Sequence, residues 1–537
     1  MNGTGGSMVE AARASDLKIG SFTDHGPWLV ELDKFPWLNG IDELRDATRR
    51  EVPRLVRRRF FPPLTRMVWV GANLGRAFGG WGLRDRKRGR EISHAGLSRR
   101  LRIAFERLGP TYIKLGQILS SGEGIFPEEL VEEFKKCRDA VPPESFATVR
   151  RVIEDSLGRP IEEVFSHISE TPIAAASIAQ VHAATLVTGE EVVVKVQRPS
   201  VAKLVRKDLA VMSWIAKFLV GRIPVSALAN PPALVDLFAE TIVEELDFRL
   251  EGQNMLDVAY VLADTDNRAI VVPRPHPELV APRILVMERL NGFSYDDVDG
   301  MRAAGIDTQT VLRALIIGFY EGAMLYGVFH GDLHGGNMLV LPDGRVGMLD
   351  FGITGRLDEP RRLAFLSLMV GGMSSDLRMQ LVALRDLGAF PPDTDLELVI
   401  QDLGLEHGLK DPTKMSAEDL MKELRDLMKA LLGYGARLPK VLMLYVKDML
   451  FVDGTVSKYA PDVNLFDSIV EMSNHFISLH GERIASDIGV DPETLAVDLD
   501  GMKSMMGIDA EVESLTYRDL QKRREIISKR MQEHRAK

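Results

Sequence analysis

One short stretch limits what this chain can fold into more than any other. His330-Gly331-Asp332-Leu333-His334-Gly335-Gly336-Asn337 is followed thirteen residues later by Asp350-Phe351-Gly352. An aspartate, an asparagine five positions on and a second aspartate ahead of Phe-Gly are the groups that phosphoryl transfer from Mg-ATP requires, in the order it requires them. The first carboxylate, Asp332, orients or deprotonates the acceptor hydroxyl. Asn337 and Asp350 supply hard oxygen ligands for Mg²⁺, a cation that keeps waters and takes one or two protein carboxylates. A polar loop between helices that merely happens to hold two aspartates would not match type, order and spacing together.

Upstream, Val192-Val193-Val194-Lys195 reads as a buried strand ending in a lysine, 137 residues before Asp332. A strand lysine facing a cleft contacts the α- and β-phosphates of ATP. The apolar spacing of Leu234, Phe238, Ile242, Leu246 and Leu250 predicts one helix over 232–253. It offers Glu244, Glu245, Asp247 and Glu251 as partners for Lys195, and Asp247 and Glu251, four apart, share a face. The residues alone do not choose among these acids. Where a glycine-rich phosphate loop would stand, the chain has Pro172-Ile173-Ala174-Ala175-Ala176-Ser177-Ile178-Ala179-Gln180. Alanines restrict positive φ and hold backbone N–H groups further from a phosphate than glycines do. Tight packing of alanines in a turn is the structural alternative.

At 537 residues the chain has room for two to four domains. A strand candidate over 177–185, a turn at Val187-Thr188-Gly189-Glu190, a returning strand over 191–197 and a short strand over 284–288 are followed by a mostly helical half. This predicts an α+β, bilobal, protein-kinase-like fold with a helical N-terminal extension, which the family resemblance given below implies caps the cleft, and extra C-terminal helices. The expected parts are a partly disordered segment 1–47, a basic helical extension 48–140, an N-lobe 141–290, a C-lobe 291–475 and a helical tail 476–537. The first dozen residues lack the pattern of ordered structure. The apolar run 311–329 is interrupted by Arg313 and Glu321 and reads as a buried helix, and no uncharged run approaches a bilayer span. One cysteine, Cys137, excludes an internal disulfide and suits a reducing cytoplasm, and no secretory leader is recognisable. The expected location is cytoplasmic, soluble or peripheral to a membrane.

The net charge of −10 is unevenly spread. Between Arg49 and Arg102 there are sixteen Lys/Arg against three acids, and Arg57-Arg58-Arg59 runs into Phe60-Phe61, with Trp69, Phe78 and Trp81 beyond. Basic and aromatic residues so mixed suit an anionic membrane surface, nucleic acid, or helices whose arginines pair with an acidic body. Nucleic acid is the least favoured of the three.

Together, Lys114-Leu115-Gly116-Gln117, the Ala174–Ser177 loop, Glu245-Leu246-Asp247 and the Asp332, Asn337, Asp350 set resemble the AarF/UbiB family of atypical kinases, over about residues 95–475. The resemblance implies a kinase or ATPase linked to isoprenoid-quinone or lipid metabolism, with ATP and Mg²⁺ as cofactors and an anionic lipid or quinone-precursor-like molecule as partner. It implies that Lys114, Gly116 and Gln117 form a cap over the cleft, with Lys114 meeting Glu245 and Asp247 and taking part in catalysis. It further implies that Glu251 pairs with Lys195, with Glu245 as the other choice, and that Met287 and Glu288 lie at the strand contacting adenine. The chain departs from the family where Gly122-Glu123-Gly124 replaces an Arg-Pro-Asp run and where Ala179 replaces a common glycine. It also lacks an Ala-Pro-Glu segment after Gly352, which argues against ordinary protein-substrate docking, and the membrane-spanning helices that end some relatives. Two other functions compete: a small-molecule kinase of the aminoglycoside/choline type, and a nucleotide-sensing scaffold at a membrane surface with negligible catalysis.

Overall fold

The computed structural model describes residues 22–24, 26–57, 63–88, 90–120, 127–137, 142–219, 231–404, 439–509 and 511–536, with scattered positions between 413 and 437. The first dozen residues, Arg58 to Phe61 of the basic–aromatic run, and Gly122-Glu123-Gly124 lie outside the described residues. The chain forms two compact units: Met1–Asn291 with Gly347–Ile353, and Gly292–Val346 with Thr354–Lys537.

The first unit is built on an antiparallel sheet. Its strands are β1 (Phe165–Ile168), β2 (Ala174–Ala175), β3 (Ala179–Leu186), β4 (Glu191–Gln197), β5 (Pro275–Ala281) and β6 (Ile284–Glu288). They are ordered β1-β3-β4-β6-β5, with β2 on β3. β4 is central, and every residue after Glu191 is buried, which is why its sequence is a continuous β-branched run and not an alternation. The β3–β4 turn closes on Gly189 at φ 104°, a backbone region that glycine enters without strain. Helix α6 (Phe146–Leu157) covers one face through Val149, Val152 and Ile153, packed with Val192, Val194, Ile284 and Val286.

Among the described residues, five α-helices precede α6: α1 (Ile41–Leu55), α2 (Leu64–Arg84), α3 (Arg90–Leu108), α4 (Pro110–Ser120) and α5 (Glu128–Lys135). They share an apolar core with α7 (Val201–Leu219) and α8 (Pro231–Glu244), and Ile178, at the tip of the alanine loop, is buried in it. The extension is thus welded to the sheet-bearing body through the very loop that the sequence singled out. Ahead of α1, Phe22, Val30, Phe35 and Trp37 are buried.

The helix expected over 232–253 is two helices. α8 ends at Glu244 and α9 (Phe248–Asp264) begins after Asp247. Asp247 has extended backbone, and its side chain accepts from the Arg249 N–H at 3.1 Å. That satisfies one of the donors a helix start leaves unpaired. Asp247 is therefore a cap, and does not share a helical face with Glu251.

The second unit is mainly helical. It holds β7 (Phe293–Ser294), α10 (Val298–Ala303), α11 (Thr308–Glu321), β8 (Val328–His330), β9 (Met338–Val340), β10 (Thr354–Arg356), α12 (Glu359–Met373), α13 (Leu377–Asp386), α14 (Leu396–Leu403), α15 (Lys440–Tyr459), α16 (Leu465–Ile488), α17 (Leu499–Met505) and α18 (Tyr517–Ala536). The buried run 311–329 is not one helix: α11 passes into a π-helical turn at Gly322–Tyr326, Gly327 takes φ 65°, and Val328 and Phe329 belong to β8. β8 pairs with β10, opposing His330 to Thr354. Among the described residues no helix is long and apolar enough to cross a membrane.

Candidate active site

Lys195 lies in β4 opposite Val181 of β3 and Leu285 of β6. Its ammonium donates to Glu251 Oε1 at 2.7 Å and to Asp350 Oδ1 at 3.0 Å, with the Phe248 ring 5.6 Å away. Of the four candidate acids, then, Glu251 pairs with Lys195. The break at Asp247 makes this possible. It starts α9 against the sheet, where the Phe248 N–H reaches Pro282 O, and sets Glu251 in the first turn, beneath β4. Burial disfavours the ammonium, but Asp350 and Glu251 outweigh it and hold Lys195 above its ordinary value. Burial pushes the Glu251 carboxyl up to about 7, with Lys195 opposing the shift and Asp350 adding to it.

Asp350 sits in the left-handed region at φ 55°, and its Oδ1 also accepts from the Gly352 N–H at 3.2 Å. Asp and Asn tolerate this backbone better than other side-chain-bearing residues. The Phe351 carbonyl is held by Asn254 Nδ2 at 2.8 Å, and Asn254 Oδ1 is held by Arg45 at 2.9 Å. Arg45 comes from α1, is buried, and also grips Gln253. A single line of contacts thus joins the extension to the Asp-Phe-Gly backbone.

In the segment expected to form a cap, Lys114 pairs with Glu245 at 3.2 Å, both largely buried. Asp247, expected beside it, pairs with Arg249 at 2.7 Å. Gly116 faces α5 so closely that a Cβ there would lie 2.7 Å from the Phe134 ring and 3.3 Å from Cys137 Sγ. The glycine exists for this close approach. Gln117 is half-buried, and its carbonyl accepts from Ser120.

The alanine loop is a tight hairpin. Ala174 opposes Val181, Ala175 opposes Gln180, and the Ala176 N–H donates to Ala179 O at 2.8 Å. Arg198 holds the Ala176 carbonyl at 3.1 Å, and Ser177 is buried. Met287 and Glu288 close β6. Met287 is buried opposite Val193, while the Glu288 carboxylate takes the Arg274 N–H and the Thr23 hydroxyl.

In the second unit, Asp332 follows β8. Its N–H donates to His330 Nδ1 at 3.2 Å, and its carboxylate pairs with Lys447 of α15. Asn337 Nδ2 donates to the Asp332 carbonyl at 3.0 Å, bracing the two ends of the loop. Among the described residues no group of three or more His, Cys, Asp or Glu is placed to hold a metal ion. The Asp350 carboxylate in the first unit and the Asn337 amide in the second are each hard oxygen donors, the type that Mg²⁺ takes and that zinc sites seldom rely on.

Arg45, Asn254, Lys447 and Asp448 escaped the sequence reading. A Lys-Asp pair inside the otherwise apolar run of α15 was the signal for the last two.

The family model of the ABC1 atypical kinase-like domain matches residues 136–381. The chain is 36% identical over 366 residues to an uncharacterized protein of Mycobacterium tuberculosis, covering 66% of this chain and 73% of that one. It is 32% identical over 391 residues to an uncharacterized aarF domain-containing protein kinase of Arabidopsis thaliana, covering 68% and 72%. A probable protein kinase UbiB of Aeromonas salmonicida is 31% identical over 377 residues, with 69% and 68% covered. A solved Mycobacterium tuberculosis protein in complex with erythromycin is 24% identical with a TM-score of 0.38, covering 61% of this chain and 89% of that one. The α+β fold is kinase-like, and the chain belongs to the AarF/UbiB family of atypical kinase-like proteins.

Proposed function

We propose that this protein binds Mg-ATP and transfers its terminal phosphoryl group, to a small hydroxyl compound or to water, in isoprenoid-quinone or lipid metabolism. The observation that carries the reading is the cluster of Lys195, Glu251 and Asp350, a buried lysine between two carboxylates at 2.7 and 3.0 Å. Lys195 orients the α- and β-phosphates, and Glu251 fixes Lys195. The hairpin from Ala174 to Ser177 lies beside the phosphates, and Met287 and Glu288 lie at the adenine. Asp350 and Asn337 would hold Mg²⁺, which when bound offsets the negative charge of the phosphates. Asp332 accepts the proton of the attacking hydroxyl as the new O–P bond forms and the bond to the ADP oxygen breaks. Gln117 and the Lys114–Glu245 pair hold the cap, which keeps protein substrates out and leaves access to small acceptors.

The quinone or lipid setting draws on the relatives named as UbiB and on helix α2. Leu64, Val68, Trp69, Phe78 and Leu83 are exposed on α2, interleaved with arginines, as an anionic membrane surface would require. Part of the basic charge is spent internally, in Arg49–Glu244, Arg66–Asp208 and Arg100–Asp85. The test is Mg-dependent ATP turnover with and without anionic liposomes and quinone-like phenols. Turnover that liposomes stimulate, and that loses the stimulation when Trp69 and Phe78 become Ser, supports the reading. Absence of turnover under every condition refutes the catalytic reading, and absence of liposome binding at low salt refutes the membrane setting.

A further inference from the structure

Within the second unit, helix α15 grips the loop that carries Asp332 at several points. Lys447 Nζ pairs with Asp332 Oδ1. The next residue, Asp448, is wholly buried and accepts the Leu333 N–H at 3.0 Å. Three turns further along the same face, Lys458 holds the Asp296 carboxylate at 2.9 Å and its carbonyl at 3.0 Å. Gly335 of the loop lies so close to that aspartate that a Cβ would come within 2.3 Å of Asp296 Oδ2. Tyr459 donates its hydroxyl to Tyr295 O at 2.5 Å. The loop is thus moulded onto one helix from a distant part of the chain.

The two histidines that flank Asp332 each turn Nδ1 to a backbone N–H, His330 to that of Asp332 at 3.2 Å. His334 turns its Nδ1 back to accept the Gly336 N–H at 3.1 Å. Burial holds the Asp448 carboxyl well above the ordinary carboxylate range, with the Leu333 N–H and Lys447 opposing, and its Oδ1 is engaged by the Leu333 N–H. Lys447 is thus a cation set directly on the Asp332 carboxylate. A carboxylate has several rotamers, and in phosphoryl transfer catalysis is almost entirely positioning and electrostatics.

We infer that Lys447 is a positioning residue for the transfer step: it fixes the Asp332 carboxylate in the orientation that receives the acceptor proton. This rests on the proposed function. It predicts a specific pattern, because a group acting through Asp332 has nothing to act on once Asp332 is disabled, whereas a structural tether acts in either background.

The experiment compares steady-state Mg-ATP turnover, calorimetric Mg-ATP binding and thermal melting for the full-length wild type, Lys447→Met, Lys447→Arg, Asp332→Asn and the Asp332→Asn/Lys447→Met double variant. Lys447→Met is expected to lower kcat by about 100-fold, the cost of a misplaced catalytic group, with KM and Mg-ATP affinity within about twofold and the melting temperature unchanged. Lys447→Arg, which keeps the cation, restores most of kcat. In the Asp332→Asn background Lys447→Met produces no further loss. Wild-type turnover with full-rate Lys447→Met overturns this inference alone, as does an equal loss in both backgrounds. Lost binding or melting in both Lys447 variants also overturns it, since that marks a tether. A wild type that neither binds nor turns over Mg-ATP overturns the proposed function, and this inference with it.

Discussion

Replacing Lys195 by Met strips Glu251 of its counter-charge in a place where only 4% of that side chain is exposed. Removing one member of a buried pair costs about 3–5 kcal/mol when the survivor must stay charged. Glu251 has an escape. Its carboxyl already stands at about 7, and losing Lys195, which pulls it down, moves it higher. The unfolded chain holds a glutamate at about 4.3. Between that value and the folded one, the folded protein carries a proton that the unfolded chain lacks, so stability falls as pH rises. In the wild type this fall is complete near pH 7. In the variant it continues above pH 7, by up to about 1.4 kcal/mol per pH unit. The cost of Lys195→Met should therefore be small near pH 6 and grow by about 1.4 kcal/mol for each unit beyond pH 7, toward the full pair-breaking value. The five tryptophans, Trp28, Trp37, Trp69, Trp81 and Trp214, all lie in the first unit. Tryptophan fluorescence during urea unfolding therefore reads the unit that holds the cluster. Other titrating groups cancel between wild type and variant. A cost that is the same at pH 6 and pH 8.5 would refute the argument that Glu251 is the strained member of the cluster.

Two further outcomes follow from the geometry of the first unit. Gly116→Ala gains about 1 kcal/mol of helix propensity but drives a methyl to 2.7 Å from the buried Phe134 ring, where overpacking costs about 1–3 kcal/mol. Urea unfolding should show net destabilisation that Phe134→Leu in the same chain relieves, and a stabilised Gly116→Ala would contradict the close packing of α4 on α5. At His276, burial pushes the imidazole down to about 4, Glu190 opposing and Arg159 adding, and Nδ1 accepts the N–H groups of Glu278 and Leu279 at 3.0 and 3.2 Å. Because the unfolded histidine binds its proton near 6.5, stability should fall as pH drops from about 6.5 toward 4. His276→Gln should flatten that slope in thermal melts, and an NMR titration of His276 with a midpoint near 6.5 would contradict the reading.

How much of this was legible in the sequence depends on how local each cause is. The strands over 191–197 and 284–288 were readable to their ends, because each is a short run rich in β-branched and apolar residues bounded by turn signals, Gly189 before the first and Asn291-Gly292 after the second. The helix over 232–253 was misread because the four-residue apolar spacing continues unbroken across the gap. Leu246 and Leu250 are buried on either side of it, and only the capping role of Asp247 marks the break. Likewise Gly327 was the stop signal within 311–329, outvoted by hydrophobicity on both sides. The order and spacing of Asp332, Asn337 and Asp350 could be read directly because one short stretch of chain carries all three. The choice of Glu251 for Lys195 depends on how α9 docks on the sheet, a tertiary matter that four neighbouring acids conceal. Lys447 lies 115 residues from Asp332 and Arg45 209 from Asn254, separations at which one sequence gives no pairing signal.

The central claim is that Lys195, Glu251 and Asp350 anchor Mg-ATP, and calorimetric titration of Mg-ATP into wild type and Asp350→Asn tests it most directly. Asparagine keeps the left-handed backbone tolerable and the side chain isosteric, so the variant removes charge and little else. The account predicts binding to the wild type that depends on Mg²⁺, and a loss of at least about tenfold, or 1.4 kcal/mol, in the variant. Equal affinity in the two proteins, or wild-type binding indifferent to Mg²⁺, would contradict it.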